Sequence, residues 1–423
     1  MNYFIDPSDP NKHYICYNDL GFARSDDAGV SWTLSRTGSP WQNTFYQIAF
    51  DPDTPGTIYA AASNKHDLPF TPYLDSDLPG GVVKSVDYGK TWVSASTGLP
   101  TTSNLPATSI IIDPSDKALY VTLYGDGVYK STDRAATWNK KSTGLAVGNN
   151  KHCFSIKIHG DGTLFCTITG RRVGGLTPDS GGLFKSTNKG DTWTNITASK
   201  LLYYQMEFDV HPANSKIIYL GAYGHGEGGI YKTTDGGVAW TKLTLPIADV
   251  LGFSPVIDPM TPSTVYFTTQ EGTFLSYDNG STWNILTGIP FKSTTRMYFD
   301  YLKNAVYFTT YGGGIFKMSA GGTIPPTTTA TTINVKGYPN PCRISKAVNR
   351  QFKIIDMPAD AQVEIFSSSG ELIKRISESD FGNTGWVGWD GKNTEGVDVP
   401  AGMYIYSVIT SFGNKTGKVG ILR

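Results

Sequence analysis

Short runs of alternating apolar and polar residues recur along the whole chain, each bounded by Gly, Asp, Asn or Pro. One stretch shows the unit plainly: FYQIAFDP at 45–52, TIYAAAS at 57–63, GGVVKS at 80–85 and TWVSAS at 91–96. Runs of this length and period read as strands, and the turn residues between them as antiparallel connections. Comparable first runs begin near Asn2, Ala107, His152, Tyr204, Gly252 and Arg296. That predicts seven groups of four strands ending near Ala320, the last with a weak or missing outer strand. Asp-Pro pairs at Asp6, Asp51, Asp113 and Asp258 are expected to close the first hairpin of their groups.

Between the third and fourth runs an octapeptide recurs. It reads SDDAGVSW at 25–32, SVDYGKTW at 85–92, STDRAATW at 131–138, STNKGDTW at 186–193, TTDGGVAW at 233–240 and SYDNGSTW at 276–283. A degenerate seventh copy, GGGIFKMSAGG, begins at Gly312. Asp or Asn can bond its own turn, Gly tolerates positive φ, and Trp offers a large ring for burial between neighbouring groups. Asp27, Asp87, Asp133, Asp235 and Asp278 are therefore read as turn formers, not catalysts. Six copies of this pattern are identified as the Asp-box, or bacterial neuraminidase repeat. With four strands in each ~45–60 residues, the resemblance implies an all-β fold, a seven-bladed β-propeller over residues 1–320.

At 321–332 the text changes to GGTIPPTTTATT, a Thr/Pro linker too polar to pack. Alternating runs resume from 333 to 423, including QVEIFSS at 362–368 and MYIYSVI at 403–409, and predict a small antiparallel sandwich. The order YPNP, VEIFSSSGELI, WDGKNTEG, PAGMYIYSV and KVGILR resembles the FlgD-like immunoglobulin or type IX secretion sorting domain. That resemblance implies a C-terminal Ig-like β-sandwich and a partnership with secretion machinery. It also implies a secreted or cell-surface location in a Gram-negative bacterium. The chain opens MNYFIDP with no basic and then apolar leader, so an N-terminus that has been truncated or processed is expected.

Composition narrows the partners. Lys plus Arg and Asp plus Glu number 36 each, so nothing electrostatic points to nucleic acid or an anionic membrane. No apolar run approaches the ~20 residues of a membrane span. Gly (47), Tyr (24) and Trp (9) are plentiful, as suits a turn-rich β protein with polar aromatic surfaces. The four cysteines show no metal-binding spacing, and no cofactor or metal is expected. A two-residue turn at Gly160-Asp161-Gly162 would place Cys166 opposite Lys157, ~13 Å along the strand from Cys153. Free, mostly buried thiols are expected.

A propeller holds ligands at the channel mouth, among the second-to-third-strand loops and the links between blades, opposite the octapeptide turns. The loops supply Asp19, Asn64, His66, Asp67, Tyr124, Asp126, Arg171, Arg172, Tyr223, His225, Glu227 and Glu271; the links supply Trp41 and Arg296. Aromatic platforms with carboxylates and amides suit a sugar, whose CH face stacks and whose hydroxyls need paired donors and acceptors. Trp41, Asn64, His66, Tyr124, Arg171, Arg172, Tyr223 and His225 form the candidate binding set for a polysaccharide or glycoconjugate. The segment YNDLGFARSDD at 17–27 resembles the two-propeller xyloglucan-type glycosidases. It implies a general-acid role for Asp19, in a chain with one Gly where the family has two and without the second propeller.

Glycosidases need two carboxyl groups, ~5–5.5 Å apart for retention or ~6.5–9.5 Å for inversion. Asp67, Glu271 or Asp126 would partner Asp19. Bland readings stand beside each: Asp19 bonded to its own loop, Asp67 in a capped turn, Arg171 and Arg172 in a solvated loop. A sialidase would need three arginines on a carboxylate and a Tyr/Glu nucleophile pair. The arginines in plausible positions are Arg171, Arg172 and Arg296, no Arg-Ile-Pro motif stands near the N-terminus, and a sialidase is not expected. A polysaccharide lyase would use His66, His225, Tyr223 and Arg171. A non-catalytic glycan- or protein-binding module remains the alternative from another class.

Overall fold

The computed structural model describes residues 1–66, 68, 79–100, 105–145, 152–173, 176–179, 181–197, 205–223, 228–248, 250–300, 305–319, 336–347, 351–355, 361–367, 371–377, 386–410 and 413–422. The fold is all-β; among these residues the one helical element is a single 3-10 turn at Ile344–Lys346. None is a helix long and apolar enough to cross a membrane. Two compact units result: residues 1–270 with 276–282, and residues 271–275 with 283–423. The linker foreseen at 321–332 lies outside the described residues.

In the first unit, antiparallel sheets of four strands follow in chain order. The first holds Asn2–Asp6, Asp9–Tyr17, Gly21–Ser25 and Thr33–Leu34, and one parallel bridge from Gly21 to Thr44 joins it to the second. The second holds Thr44–Phe50, Ile58–Ser63, Gly80–Ser85 and Val93–Ser94. The third, fourth and fifth begin at Ala107–Ile112, Cys153–Ile158 and Gln205–Val210, and the hairpin Gly252–Ile257 with Val265–Thr269 follows. Second strands such as Ile58–Ser63 and Leu119–Leu123 are buried at every position, so both faces of each sheet are covered. Successive sheets among the first five have cores of their own. Phe22 and Phe45 meet Trp92 between the first two, and Tyr59 and Val82 meet Val121 and Trp138 between the next two.

The octapeptides explain how neighbouring sheets lock. In the second copy Ser85 Oγ donates to Asp87 at 2.7 Å and accepts from the Gly89 amide at 2.8 Å, while Asp87 accepts from the Thr91 amide at 2.9 Å. The other copies repeat this, with Asn188 in place of Asp in the fourth. The Trp that ends four of these turns then reaches back one sheet. Trp92 Nε1 donates to the Ser35 carbonyl, Trp138 to Ala95, Trp193 to Lys141 and Trp240 to Ile196, at 2.7–2.9 Å. Trp32, in the first sheet, bonds its own Gly29 instead and is 37% exposed, against 1% for Trp92.

A second repeated contact was not read in the sequence. The Trp92, Trp138 and Trp193 amides donate to the carbonyls of Thr37, Thr97 and Thr143, each of which precedes a glycine. Gly98 sits at φ +90°, and a Cβ there would lie 2.5 Å from the Trp138 carbonyl oxygen. The Asp-Pro expectation is met: Asp6, Asp51, Asp113 and Asp258 each accept a hydrogen bond from the backbone two residues on.

Two local expectations are corrected. The stretch from Arg171 to Asp179 is not a plain loop; Arg171–Val173 pairs with Leu176–Asp179 as a hairpin. Cys166 stands opposite Ile156, not Lys157, because residues 159–163 make a longer turn closed by His159 N–H to Thr163. Burial, with a contact to the Cys153 thiol, pushes the Cys166 thiol well up. Both remain free and buried, as do Cys16 and Cys342.

The second unit contains the pairing of Phe274 and Leu275 with Ile285 and Asn284, and the three-stranded sheet Thr294–Asp300, Ala305–Thr310, Ile315–Ser319. It also contains a three-stranded sheet (Lys336–Tyr338, Phe352–Ile355, Trp386–Trp389) and a five-stranded one with Gln362–Ser367, Gly402–Thr410 and Gly413–Leu422 at its centre. These last two share one core, in which Phe352 and Trp389 meet Val363, Ile365, Tyr406 and Val408.

Candidate functional site

The site builds from the turn that links the second and third strands of the first sheet. Asp19 takes φ +75° there and is the one acidic residue with positive φ among the described residues. Gly21, at φ +80°, ends the turn; a Cβ on it would lie 2.5 Å from the Gln42 carbonyl oxygen. The turn is thus pressed against the link between the first two sheets. Asp19 Oδ1 lies 3.1 Å from His66 Nδ1, with both side chains partly exposed.

His66 is held from beneath. The Lys65 amide donates to Ser63 Oγ at 2.7 Å, its carbonyl accepts from the Tyr46 hydroxyl at 2.8 Å, and its side chain is buried. Beside it, Asn64 Oδ1 accepts from the Gln42 amide at 3.3 Å, and Trp41 packs its ring on Gly81. Three of the foreseen residues, Asn64, His66 and Trp41, therefore gather with Asp19 where the first sheet meets the second.

A recurrent bulge shapes the ends of the inner strands. Register shifts fall between Phe45 and Gln47, Ala107 and Ser109, Cys153 and Ser155, and Gly252 and Ser254. Each leaves one extra residue re-aimed at the strand end: Tyr46, Thr108, Phe154 and Phe253. Tyr46 and Phe154 close a buried cluster with Tyr124 and Leu68. Tyr124 stacks on His152 with ring centroids 4.7 Å apart. Tyr223 packs on Phe253 at 5.6 Å and donates to Gln270 at 3.5 Å. The bulged aromatics lie outside the foreseen set.

Other foreseen residues have partners or places of their own. Asp126 is taken by Lys140 at 2.7 Å and by the Tyr129 hydroxyl, so it serves its own sheet. Arg171 and Arg172 lie on the added hairpin. Glu271 belongs to the second unit. Asp67, His225 and Glu227 lie outside the described residues. The remaining carboxylates of the first unit whose side chains are described all close turns or pair with neighbours. Asp209, for example, accepts from Lys157 at 2.9 Å and from the Ile257 amide at 2.8 Å, and Glu207 from Ser155 at 2.9 Å. No cluster of three metal-binding side chains occurs among the described residues.

Neither a family model nor a curated protein sequence matches the chain. Solved structures do. The GH74 xyloglucanase of Xanthomonas campestris is 14% identical with a TM-score of 0.59, over 98% of this chain and 73% of that one. PorZ, an essential surface component of the type IX secretion system of Porphyromonas gingivalis, is 16% identical with a TM-score of 0.53, over 98% of this chain and 58% of its own length. YCF48 from Cyanidioschyzon merolae is 12% identical with a TM-score of 0.50, over 72% of this chain and 91% of that one. What this chain shares with these propellers is an all-β fold of many small sheets.

Proposed function

We propose that this chain is an exported, carbohydrate-active propeller of seven blades with a C-terminal Ig-like sorting domain. Its mouth takes a polysaccharide, and Asp19 is the essential carboxyl group in acid–base cleavage of a glycosidic bond. One observation carries the reading: Asp19 stands at positive φ in the mouth turn with an imidazole partner, while the other described carboxylates of its unit close turns or pair. Sparsely populated backbone conformations cluster at functional sites, which supports the reading. In the cleavage, a proton reaches the departing oxygen as the C–O bond breaks, and water adds hydroxyl to the sugar carbon and returns its proton to the site.

A second reading, a binding module without catalysis, draws on the same inventory, because within the described residues of the first unit no second carboxylate faces Asp19. Affinity electrophoresis through gels cast with soluble polysaccharides tests the ligand class common to both. Wild-type protein is expected to be retarded by at least one glycan, and Trp41→Ala to migrate faster than wild type in that gel. Equal mobility with and without every glycan would remove carbohydrate from the account.

A further inference from the structure

We infer that Asn279 is a modification site gated by the sixth octapeptide turn. Its side-chain amide closes on the Gly280 nitrogen to a succinimide, and water reopens the ring as isoaspartate or aspartate. Asn279-Gly280 is the one Asn-Gly pair in the sequence. With no Cβ on residue 280, nothing crowds the nitrogen that must reach Asn279 Cγ. Asn279 is exposed at φ +57°, and its carboxamide makes no hydrogen bond among the described residues. The same place in the other copies holds Ala28, Tyr88, Arg134, Lys189 and Gly236, none with an amide to lose.

Both polar groups of the reacting peptide are held by the turn and its neighbour. The Gly280 amide donates to Ser276 Oγ at 2.8 Å. The Asn279 carbonyl accepts from the Tyr219 hydroxyl and from Lys232 Nζ of the fifth sheet, each at 2.7 Å. Ring closure twists this peptide and removes its proton, so the bonds must break first, and the rate follows local opening of the turn.

In the closing step Gly280 N bonds to Asn279 Cγ, the amide C–N bond breaks, and ammonia leaves with the Gly280 amide proton. Water then adds to one of the two ring carbonyls. Attack at Cγ gives aspartate, and attack at the main-chain carbonyl gives isoaspartate. In isoaspartate the main chain runs through Cβ and Cγ. Its carboxylate arises from the carbonyl to which Tyr219 and Lys232 donate, so the turn lengthens where it is tied to the fifth sheet.

The test is peptide mass mapping of the full chain, held folded at mildly alkaline pH. Wild type is expected to convert at Asn279 with time, and enzymatic methyl transfer to that peptide should show isoaspartate. Ser276→Ala frees the Gly280 amide and should raise the rate about fivefold, with near-ultraviolet circular dichroism showing that both proteins are folded. Tyr219→Phe, which removes one donor from the Asn279 carbonyl, should act in the same direction. In concentrated urea, where the turn is gone, all three should convert at one rate. Equal rates for the folded wild type and both variants would overturn the gate. An Asn279 that keeps its amide in every folded protein while it reacts in urea would overturn the site.

Discussion

The aspartates of the octapeptides serve stability, each by closing its own turn. Asp133 accepts from the Thr137 side chain and amide and from Ser131, and these bonds hold its carboxyl at about 2. The Thr282 bonds do the same for Asp278, and the Ser25 and Ser31 bonds for Asp27. Unfolded aspartate titrates near ~3.9, so the folded value lies below the unfolded one. The turns' contribution is complete above pH ~4 and is lost as pH falls through about 2. Asp133→Asn should therefore lose less melting temperature than wild type between pH 5 and pH 2. An identical loss would mean that this turn does not couple to acid unfolding. Asn188 already fills the fourth copy without a titrating group.

At the scale of elements, the sheet-to-sheet latch makes a sharper claim. Gly98 combines φ +90° with a close approach to the Trp138 carbonyl, so Gly98→Ala incurs both left-handed strain and a clash. Together these should cost about 3 kcal/mol, read as a lower denaturant midpoint. Trp138→Phe leaves the Ala95 carbonyl without its indole donor and should cost about 2 kcal/mol. Trp32→Phe, on a half-exposed ring bonded only within its own turn, should cost under about 1 kcal/mol. Equal losses for the two tryptophans would refute the latch.

Much of this level was legible. The strand runs, the Asp-Pro hairpins and the octapeptide turns follow from period and turn chemistry, which are local. The bulges at Tyr46 and Phe154 were not, because a bulge is a property of register between two strands and leaves no mark on either alone. Cys166 was misplaced by one position for the same reason: its register depended on a turn of 159–163 that is longer than two residues. The hairpin at Arg171 had a visible signal, Gly174-Gly175 between two short runs, that was read as loop.

At the scale of the whole first unit, separate cores between successive sheets leave Asp19 and His66 to be set by a junction, not by any one sheet. Asp19 meets His66 only because two sheets meet, so the sequence could name both residues without pairing them. The fold is shared with a xyloglucanase and with a secretion-system surface component, and fold alone does not choose between cleavage and binding. The direct measurement is reducing-end release from a panel of soluble polysaccharides by wild type and by Asp19→Asn. The account predicts release from at least one glycan by wild type, lowered by about 100-fold or more in the variant while glycan binding persists. Release that is unchanged in Asp19→Asn, or no release from any glycan by wild type, would contradict it.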